Sequence, residues 1–414
     1  MTAKVASRID ATRLWGRHMQ LARHGALANG GVNRQALSVE EVAAWRELIG
    51  WGREFGLAAS TDAAGNLFLR LEGTNAQAAP VLTGSHLDSQ PTGGKFDGNY
   101  GVLAGLEAAQ AIVESGVRLQ RPLEIVAWMN EEGSRFAPGM MGSAAFAGAA
   151  PLERFLTVRD GAGISIEEGL AVMRAAFPEL PLRSLGRPVA AYLEAHIEQG
   201  PILEREGIAI GVVTGIQGKR TFRVAVRGEE AHAGTSSRHE RKDALLAAVR
   251  MIDALTDVMH DAEDIVKFTI GRLDVLPNAP SVVPASVVFS IDLRHVDSVA
   301  LMALGNRIAP LCAEHAGSCA VEVTELTRAM SLDFPSAMTR LVRDAARQLG
   351  IASMDIYSAA GHDARFLHAV CPTGMIFVPC KDGISHNPQE SATPEDLATG
   401  ARVLAEALVE LAGV

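Results

Sequence analysis

Apolar positions along the chain follow two spacings, short continuous runs and longer stretches with helical periodicity. The runs cover residues 80–83, 123–129, 189–195 and 374–378. Between them, stretches such as 102–113 place apolar side chains three and four positions apart, which is the spacing of one helix face. Buried strands that alternate with such helices predict a three-layer α/β domain with a mostly parallel sheet.

Both ends of the chain are predicted to be helical. Within residues 1–75, Ser38 followed by Glu41 forms a capping-box pattern, and the apolar positions after it recur at helical spacing. The last segment begins with Thr393, a favoured N-cap residue, and has Pro394 at the first helical position.

The middle of the chain has a different pattern, in which apolar and polar residues alternate. In order, the sequence predicts a strand at 221–228, a helix at 241–260, strands at 266–273 and 286–294, a helix at 298–316 and a strand at 320–326. This β-α-β-β-α-β order is that of the ferredoxin-like split motif, with both helices on one side of an open sheet. We therefore predict an α+β domain at 214–329, inserted into a discontinuous domain formed by 1–213 and 330–414.

The composition is that of an ordinary globular protein. Of the 414 residues, 48% are hydrophobic and 21% are charged, which excludes a disordered or collagen-like chain. A net charge of -10 without a basic stripe argues against nucleic-acid binding, and no apolar run reaches the ~18 residues of a membrane span. The N-terminus lacks the apolar core of a signal peptide, and the four cysteines form no CxxC pair. We expect a cytoplasmic protein that binds neither nucleic acid nor membrane.

Histidine and carboxylate residues follow each of the four apolar runs. In chain order they are His86, Asp88, Glu131, Glu132, His196 and His386. Because ligands of open α/β sheets bind at the carboxyl ends of strands, we expect these side chains to meet in one crevice. Asp97 lies between two of these segments, in a Gly-rich loop at 93–98 that suits close approach of the backbone.

These residue types are typical ligands of divalent metals. Three histidines with two carboxylates would suit two ions of zinc, manganese or cobalt. Side chains of adjacent residues point in different directions, so one of Glu131 and Glu132 can bind metal while the other acts as a base. The sequence contains no HExxH motif, P-loop or GxSxG elbow, so the sites those motifs mark are not predicted.

Eight motifs carry a resemblance to a known family and cover nearly the whole chain. They are Gly-Ser-His-Leu-Asp-Ser at 84–89, Gly-Gly-Lys-Phe-Asp-Gly at 93–98, Asn-Glu-Glu-Gly-Ser-Arg-Phe at 130–136, Glu-Ala-His-Ile-Glu-Gln-Gly-Pro at 194–201, Ala-His-Ala-Gly-Thr at 231–235, Asp-Leu-Arg at 292–294, Ala-Gly-His-Asp-Ala at 360–364 and Ser-His-Asn-Pro-Gln-Glu at 385–390. With these motifs the chain resembles the hydantoinase/carbamoylase branch of the di-metal amidohydrolases. That branch includes N-carbamoyl-L-amino acid hydrolases, allantoate amidohydrolases and β-ureidopropionases, and it is related to the co-catalytic zinc aminopeptidases.

The resemblance implies two divalent metal ions per subunit, zinc, manganese or cobalt. His86 and His196 would be ligands of one ion, Glu132 and His386 would be ligands of the other, and Asp97 would bridge both. Asp88 would orient His86 and fix its tautomer. Glu131 would be the general base.

The resemblance also implies that the inserted domain forms a homodimer. His232 would reach the active site of the partner subunit and stabilise an oxyanion there. The substrate, a small ureido acid, would be bound by Gln199, Asn278 and Arg294. Arg294 would contact the carboxylate of that substrate. His362 with Asp363 is open to two interpretations, a structural pair near the site or a proton-transfer role.

The resemblance and the site residues together leave three classes of function to compare. The first is a hydrolase that cleaves the ureido C–N bond of a carboxylate-bearing molecule, an N-carbamoyl-L-amino acid or allantoate, and releases ammonia and carbon dioxide. The second is a peptidase or aminoacylase of the same architecture, which the motif at 194–200 resembles less well. The third is a non-catalytic metal-binding protein, which would not need Glu131.

Overall fold

The computed structural model describes residues 3–414, which divide into two compact units. Residues up to Thr214 form the discontinuous unit together with Phe334–Val414, and Gly215–Asp333 form the inserted unit. The predicted insertion at 214–329 differs from this division by one residue at its start and four at its end.

Helices and strands alternate along most of the chain. The strands are β1 (Ala58–Asp62), β2 (Leu67–Leu71), β3 (Val81–His86), β4 (Leu123–Trp128), β5 (Leu182–Arg183), β6 (Ala191–Ile197), β7 (Ile210–Ile216), β8 (Gly218–Arg227), β9 (Ala231–His232), β10 (Lys267–Thr269), β11 (Leu273–Leu276), β12 (Val282–Val283), β13 (Ser286–His295), β14 (Ala320–Ala329), β15 (Leu332–Asp333), β16 (Ser353–Ser358) and β17 (Thr373–Val378). The α-helices are α1 (Ala3–Ala6), α2 (Ala11–Leu21), α3 (Val39–Glu54), α4 (Asn99–Ser115), α5 (Met141–Phe146), α6 (Glu153–Leu156), α7 (Ile166–Ala176), α8 (Ile202–Glu206), α9 (Ala244–Met259), α10 (Ser298–Glu314), α11 (Ser336–Gln348), α12 (Ala364–Leu367) and α13 (Pro394–Ala412), and a 3-10 turn covers Lys381–Gly383.

The discontinuous unit is built on a mainly parallel sheet, which confirms the predicted fold class. Its strand order is β7-β17-β6-β3-β4-β2-β1-β5, and β16 also pairs with β7. The central strands β17, β6, β3 and β4 run parallel to one another. β7 and β2 join the outer sides of this group in antiparallel orientation.

Burial explains why four apolar runs form the central strands. Every residue of β3, β4, β6 and β17 is buried, as expected of strands covered on both faces. α4 packs against β3 and β6, and α13 packs against α4 and β17. As predicted, α13 begins after Thr393, whose side chain accepts a hydrogen bond from the Asp396 amide.

The parallel register determines which residues at the strand ends lie side by side. Thr83 of β3 pairs with Leu193 of β6. His86 and His196 each lie three residues further along, so they are level, and their ring centroids are 6.1 Å apart. His86 is also level with Trp128, the last residue of β4, so the segment that follows β4 begins beside His86.

The prediction of helices throughout residues 1–75 is wrong at 58–71. There β1 and β2 form an antiparallel hairpin, and β2 continues into the sheet by pairing with β4. The Asp62 carboxylate closes the turn by accepting hydrogen bonds from the Ala64 and Asn66 amides. Strand pairing and the local turn therefore override the helical pattern that precedes this segment.

The inserted unit has the predicted ferredoxin-like topology. Its antiparallel sheet has the order β10-β13-β8-β14, with β11 also paired to β13. The alternating side chains Phe222, Val224 and Val226 of β8 are buried in a core to which α9 and α10 contribute. Among the described residues, β14 has a strand on one side only, so it is an edge strand.

Across residues 3–414, the structure contains no helix with both the length and the apolar character that crossing a bilayer requires. The four cysteines, Cys312, Cys319, Cys371 and Cys380, are free thiols.

Candidate active site

His86 and His196 face one carboxylate oxygen of Asp97. The Nε2 atom of His86 lies 3.5 Å from Asp97 Oδ1, and that of His196 lies 3.2 Å from the same oxygen. His86 ends β3, His196 lies in β6, and Asp97 comes just before α4. All three side chains are buried, and we call them the first ligand set.

A second ligand set shares Asp97. The Nε2 atom of His386 lies 3.1 Å from Asp97 Oδ2 and 3.4 Å from Glu132 Oε2. The Glu132 side chain is almost buried, whereas that of His386 is 50% exposed, so the second set is open to solvent on one side. Asp97 thus directs one oxygen to each set, which is the geometry of a bridging carboxylate.

The spacing of these atoms fits divalent ions. Atoms bound to one tetrahedral ion at ~2.0 Å lie roughly 3.3 Å from one another. The nitrogen–oxygen separations within the two sets run from 3.1 to 3.5 Å. Imidazole nitrogens and carboxylate oxygens are also the donors that zinc, manganese and cobalt accept. The two sets could therefore hold one ion each, and this coordination stays a prediction.

The site buries carboxylates that its own cations do not neutralise. Burial, reinforced by neighbouring carboxylates, raises the pKa of Glu131 well above its ordinary value. Burial and the Asp97 carboxylate raise the pKa of Glu132 to about 7. At Asp97 burial also acts to raise the pKa, but hydrogen bonds with the three histidines hold it well below its ordinary value. Added positive charge would stabilise the ionised form of both glutamates.

Glu131 lies beside the first set but belongs to neither set. Its Oε2 atom is 3.5 Å from His86 Nε2, and its side chain is 11% exposed. A carboxylate in this position can exchange a proton with a molecule that contacts the ligand sets. That is the placement expected of the predicted base.

Asp88 acts on the site through two different groups. Its carboxylate accepts hydrogen bonds from the Glu131 and Glu132 amides, both at 3.2 Å. The Nδ1 atom of His86 lies 2.9 Å from the backbone carbonyl oxygen of Asp88 and 3.6 Å from its carboxylate. Because a carbonyl can only accept, Nδ1 donates, and Nε2 is left as the ligand atom. Asp88 thus orients His86 through its backbone carbonyl oxygen, while its carboxylate holds the turn that carries both glutamates.

Gly98 explains part of the Gly-rich loop. It has a φ of 64°, which L side chains rarely adopt, and a Cβ there would come within 2.3 Å of the His86 ring. Its amide also donates to His196 Nε2 at 3.1 Å. A side chain at this position would displace a ligand of the first set.

Gln199, predicted to bind substrate, contacts the bridging carboxylate. Its Nε2 donates to Asp97 Oδ2 at 2.9 Å and to Ser385 Oγ at 3.1 Å. Gln199 has a φ of 56° and follows β6, so a left-handed turn aims its amide back at the site. The structure therefore adds a contact with Asp97 to the predicted role.

The inserted unit contains the predicted catalytic residue His232 and the predicted substrate-binding residues Asn278 and Arg294. The Nδ1 atom of His232 accepts hydrogen bonds from the Gly234 and Thr235 amides, so Nε2 carries the proton and is a donor. Arg294 binds both carboxylate oxygens of Asp292, at 2.8 and 3.2 Å, which fixes the plane of its guanidinium. Asn278 is exposed, with a φ of 57°, in the loop after β11.

A buried polar network beside the first set contains Glu194, for which the sequence predicted no role, and His362. Glu194 of β6 accepts from Ser85 at 2.7 Å and from Tyr192 at 3.0 Å. Glu194 begins the motif at 194–201 and interrupts an otherwise apolar run, but neither signal indicated its contacts. His362 packs edge-on against His196, with ring centroids 4.6 Å apart, and its Nε2 contacts Ser358 Oγ at 3.0 Å. These contacts favour the structural interpretation of His362.

Comparison with known proteins places the chain in a family. The model of peptidase family M20/M25/M40 matches residues 82–410. An N-carbamoyl-L-amino-acid amidohydrolase of Rhizobium meliloti is 39% identical over 98% of both chains. An allantoate amidohydrolase of Bacillus subtilis is 35% identical over 95% of both. The crystal structure of a hydantoinase/carbamoylase family amidase from Burkholderia multivorans superimposes with a TM-score of 0.90, at 43% identity and 98% coverage of both chains.

Two features of the site agree with these matches. The ligand sets lie on strands and loops within the matched residues 82–410, and Glu131 stands beside the first set as a separate carboxylate. The chain belongs to peptidase family M20/M25/M40, in its hydantoinase/carbamoylase branch, and is a hydrolase of C–N bonds.

Proposed function

We propose that this hydrolase cleaves the ureido C–N bond of an N-carbamoyl-L-amino acid or of allantoate, and that ammonia and carbon dioxide are released. The observation that carries the proposal is that two adjacent glutamates occupy different positions in the site. Glu132 contacts the second ligand set, whereas Glu131 lies beside the first set and outside both. A protein that only binds metal would not need the second carboxylate.

Two zinc, manganese or cobalt ions held by the ligand sets would supply Lewis acidity and activate water. Glu131 accepts the proton of the attacking water and returns it to the leaving nitrogen. Glu131 suits both transfers because it lies beside the first ligand set, where an adjacent cation would favour the ionised carboxylate that accepts the proton. The carbamate formed from the ureido group then breaks down to ammonia and carbon dioxide.

Arg294 selects a substrate that carries a carboxylate. Asp292 holds the guanidinium plane, and a planar fork can donate two parallel hydrogen bonds to a carboxylate. Both amidohydrolase relatives act, by name, on small molecules of this class, which supports the choice of substrate. Gln199 and Asn278 would complete the binding of the ureido acid.

We also propose that the protein is a cytoplasmic homodimer, joined through its inserted unit, in which His232 completes the partner's site. β14 is an edge strand of ten residues, and Leu326 on it is 61% exposed, so this edge can pair with another chain. The exposed His232 ring is held by two backbone amides with its Nε2–H directed away from them. One such donor at a developing oxyanion lowers the barrier by about 3 kcal/mol.

A substrate panel tests the activity. The metal-free protein is loaded separately with manganese, cobalt and zinc and given N-carbamoyl-L-amino acids, allantoate, N-acyl amino acids and dipeptides. Release of ammonia from ureido acids alone supports the proposal. Faster cleavage of peptides or acyl amino acids would assign the peptidase or aminoacylase alternative instead.

Subunit mixing tests the completed site. Chains with His232→Ala and chains with Glu131→Gln are each expected to be inactive. A heterodimer contains one site with both residues intact and should regain up to about half of the activity. Purified heterodimers that stay inactive would reject the contribution of His232 across the dimer.

A further inference from the structure

A buried carboxylate outside both ligand sets contacts the loops of two ligands. Glu390 is 4% exposed and lies in the loop between β17 and α13. Its Oε1 atom accepts hydrogen bonds from the amides of Phe96, at 2.8 Å, and Asp97, at 3.1 Å. Its Oε2 atom accepts from Ser385 Oγ at 3.1 Å.

These contacts join segments that are almost 300 positions apart in the sequence. One segment ends in the shared ligand Asp97, and the other contains Ser385, which comes directly before the ligand His386. We propose that Glu390 is a positioning residue that sets the distance between Asp97 and His386, and with it the affinity of the second ligand set for its ion. This inference rests on the proposed metal site.

Because Gly94 has no side chain, the Glu390 side chain can lie directly against the backbone of this loop. A Cβ at this position would meet the Glu390 carboxylate at 2.1 Å, and no positive φ requires glycine there. The reason for glycine is therefore the approach of one side chain to the backbone. The loop and the carboxylate fit each other, as expected if their contact is specific.

Ser385 connects Glu390 to the shared ligand by a second route. Its hydroxyl lies 3.1 Å from Asp97 Oδ2 and 3.1 Å from Glu390 Oε2, and it accepts from Gln199. A hydroxyl has one proton, so it donates to one of these carboxylates at a time. If Asp97 Oδ2 holds a cation, Glu390 would be the acceptor, and the hydrogen bond would join the His386 loop to Glu390.

Loss of Glu390 would free the backbone that aims Asp97. Two buried amides would lose a charged acceptor, and an unsatisfied buried donor moves to find another partner. Asp97 and His386 would then separate or rotate. Residues that orient metal ligands typically change metal affinity or activity by ~10–100-fold when they are replaced.

The structure offers a matched control in Asp62. This carboxylate is 3% exposed, and one of its oxygens also accepts from two backbone amides while the other accepts from a side chain, Asn66 Nδ2. The residues it contacts belong to the turn between β1 and β2 and include no ligand. Asp62→Ala therefore removes the same kind of interaction away from the ligand sets.

The test measures Co²⁺ binding to the full chain by chelator competition, together with the cobalt absorption spectrum and the thermal midpoint. Glu390→Ala should weaken the binding of one ion by ~10–100-fold and that of the other by less, because both sets share Asp97 but only the second contains His386. Glu390→Gln should have a smaller effect, because its amide oxygen can still accept from the two backbone amides. Asp62→Ala should lower the thermal midpoint without changing either affinity.

Gly94→Ala tests the same contact from the loop and does not change Glu390. It should weaken the same ion, because a Cβ at this position would displace the Glu390 side chain from its place beside the loop. If Glu390→Ala does not fold, Glu390→Gln and Gly94→Ala decide the matter.

Two results would overturn the inference. One is binding of both ions at unchanged affinity by the Glu390 and Gly94 variants, and the other is an equal loss of affinity in Asp62→Ala. Failure of the unmodified chain to bind Co²⁺, Zn²⁺ or Mn²⁺ would instead reject the proposed function.

Discussion

Glu325 of the inserted unit and the adjacent glutamates of the active site show two opposite ways of holding a carboxylate. In the inserted unit, Glu325 is paired with Arg220 at 2.7 Å and also contacts Arg328. Hydrogen bonds from the two arginines lower the pKa of Glu325 to about 2. In the discontinuous unit, the pKa of Glu131 and that of Glu132 are raised, because burial there is not balanced by arginine or lysine.

The difference separates a structural charge from a functional one. A carboxylate balanced by guanidinium groups stays ionised without any other partner. A cluster of carboxylates that lacks such balance is costly to bury, and this cost is characteristic of sites that bind a cation or transfer a proton. At Glu131 and Glu132 this lack of balance coincides with the two ligand sets, and the following predictions test that description.

Replacing the two adjacent glutamates should give the largest effects. Glu131→Gln should lower kcat by ~10²–10⁴-fold or more and keep both ions, because a neutral amide cannot accept the proton. Glu132→Ala should lose the ion of the second set. Turnover and metal content, measured on the same samples, separate the two roles. Near-normal turnover of Glu131→Gln would contradict its role as base.

The pH dependence of stability should have opposite signs in the two units. In the metal-free protein the pKa of Glu132 is about 7 in the folded state against 4.5 in the unfolded chain. Its contribution to the free energy of unfolding is therefore fully present below pH 4.5 and is lost as the pH rises through 7. A hydrogen bond with Asp97 raises the pKa of His386 from 6.5 to about 9, so its contribution is lost as the pH rises through 9. Glu325 contributes above pH 4.5 and loses its contribution as the pH falls through 2.

Urea unfolding of the metal-free protein should therefore show a free energy of unfolding that falls between about pH 5 and 9. Saturating metal should flatten this slope, because ligands that hold an ion no longer take up protons. A metal-free protein whose stability rises over this range would contradict the electrostatic description of the site.

Arg294→Lys should raise KM by roughly tenfold or more while kcat changes less. Lysine keeps the charge but cannot form the two parallel hydrogen bonds of the fork. Lys219→Ala is the matched control, because Lys219 pairs with the same Asp292 at 3.2 Å but offers no fork. Equal hydrolysis of ureas with and without a carboxylate would show that Arg294 has another role.

Arg328→Ala should give the smallest effect. Arg220 remains to pair with Glu325, and an exposed ion pair contributes little to stability in water. The thermal midpoint should fall only slightly, and metal content and kcat should not change. A marked loss of bound metal would mean that the charges of the inserted unit are not merely structural.

The ends of the central strands were predictable because parallel sheets place polar residues there. Apolar runs followed by His86, Glu131, Glu132 and His196 indicated both the strands and the shared crevice. Strict alternation likewise predicted the inserted sheet. The hairpin of β1 and β2 was missed because its pairing with β4 and its Asp62 turn depend on contacts outside the apolar pattern.

Contacts between distant segments could not be predicted from the sequence. Glu390 belongs to a recognised motif, but only the fold brings its carboxylate to the amides of Phe96 and Asp97. Likewise, His86 Nδ1 lies 2.9 Å from the carbonyl oxygen of Asp88 and 3.6 Å from its carboxylate, and only the folded chain shows which of these two groups it contacts. The residue types indicated that these groups were polar, but they did not indicate which hydrogen-bond partners the groups would have.

The strand order has a consequence for how the protein is made. β17 is the last strand of the chain, yet it lies between β6 and β7, which precede the inserted unit. During synthesis β6 and β7 therefore cannot pair through β17 until residues 373–378 have left the ribosome. The loop that carries His386 is synthesised after them. Contacts this distant in sequence form slowly, because a long loop must close first. The catalytic centre is thus among the last parts of the protein to assemble, after the inserted unit, whose residues are synthesised earlier.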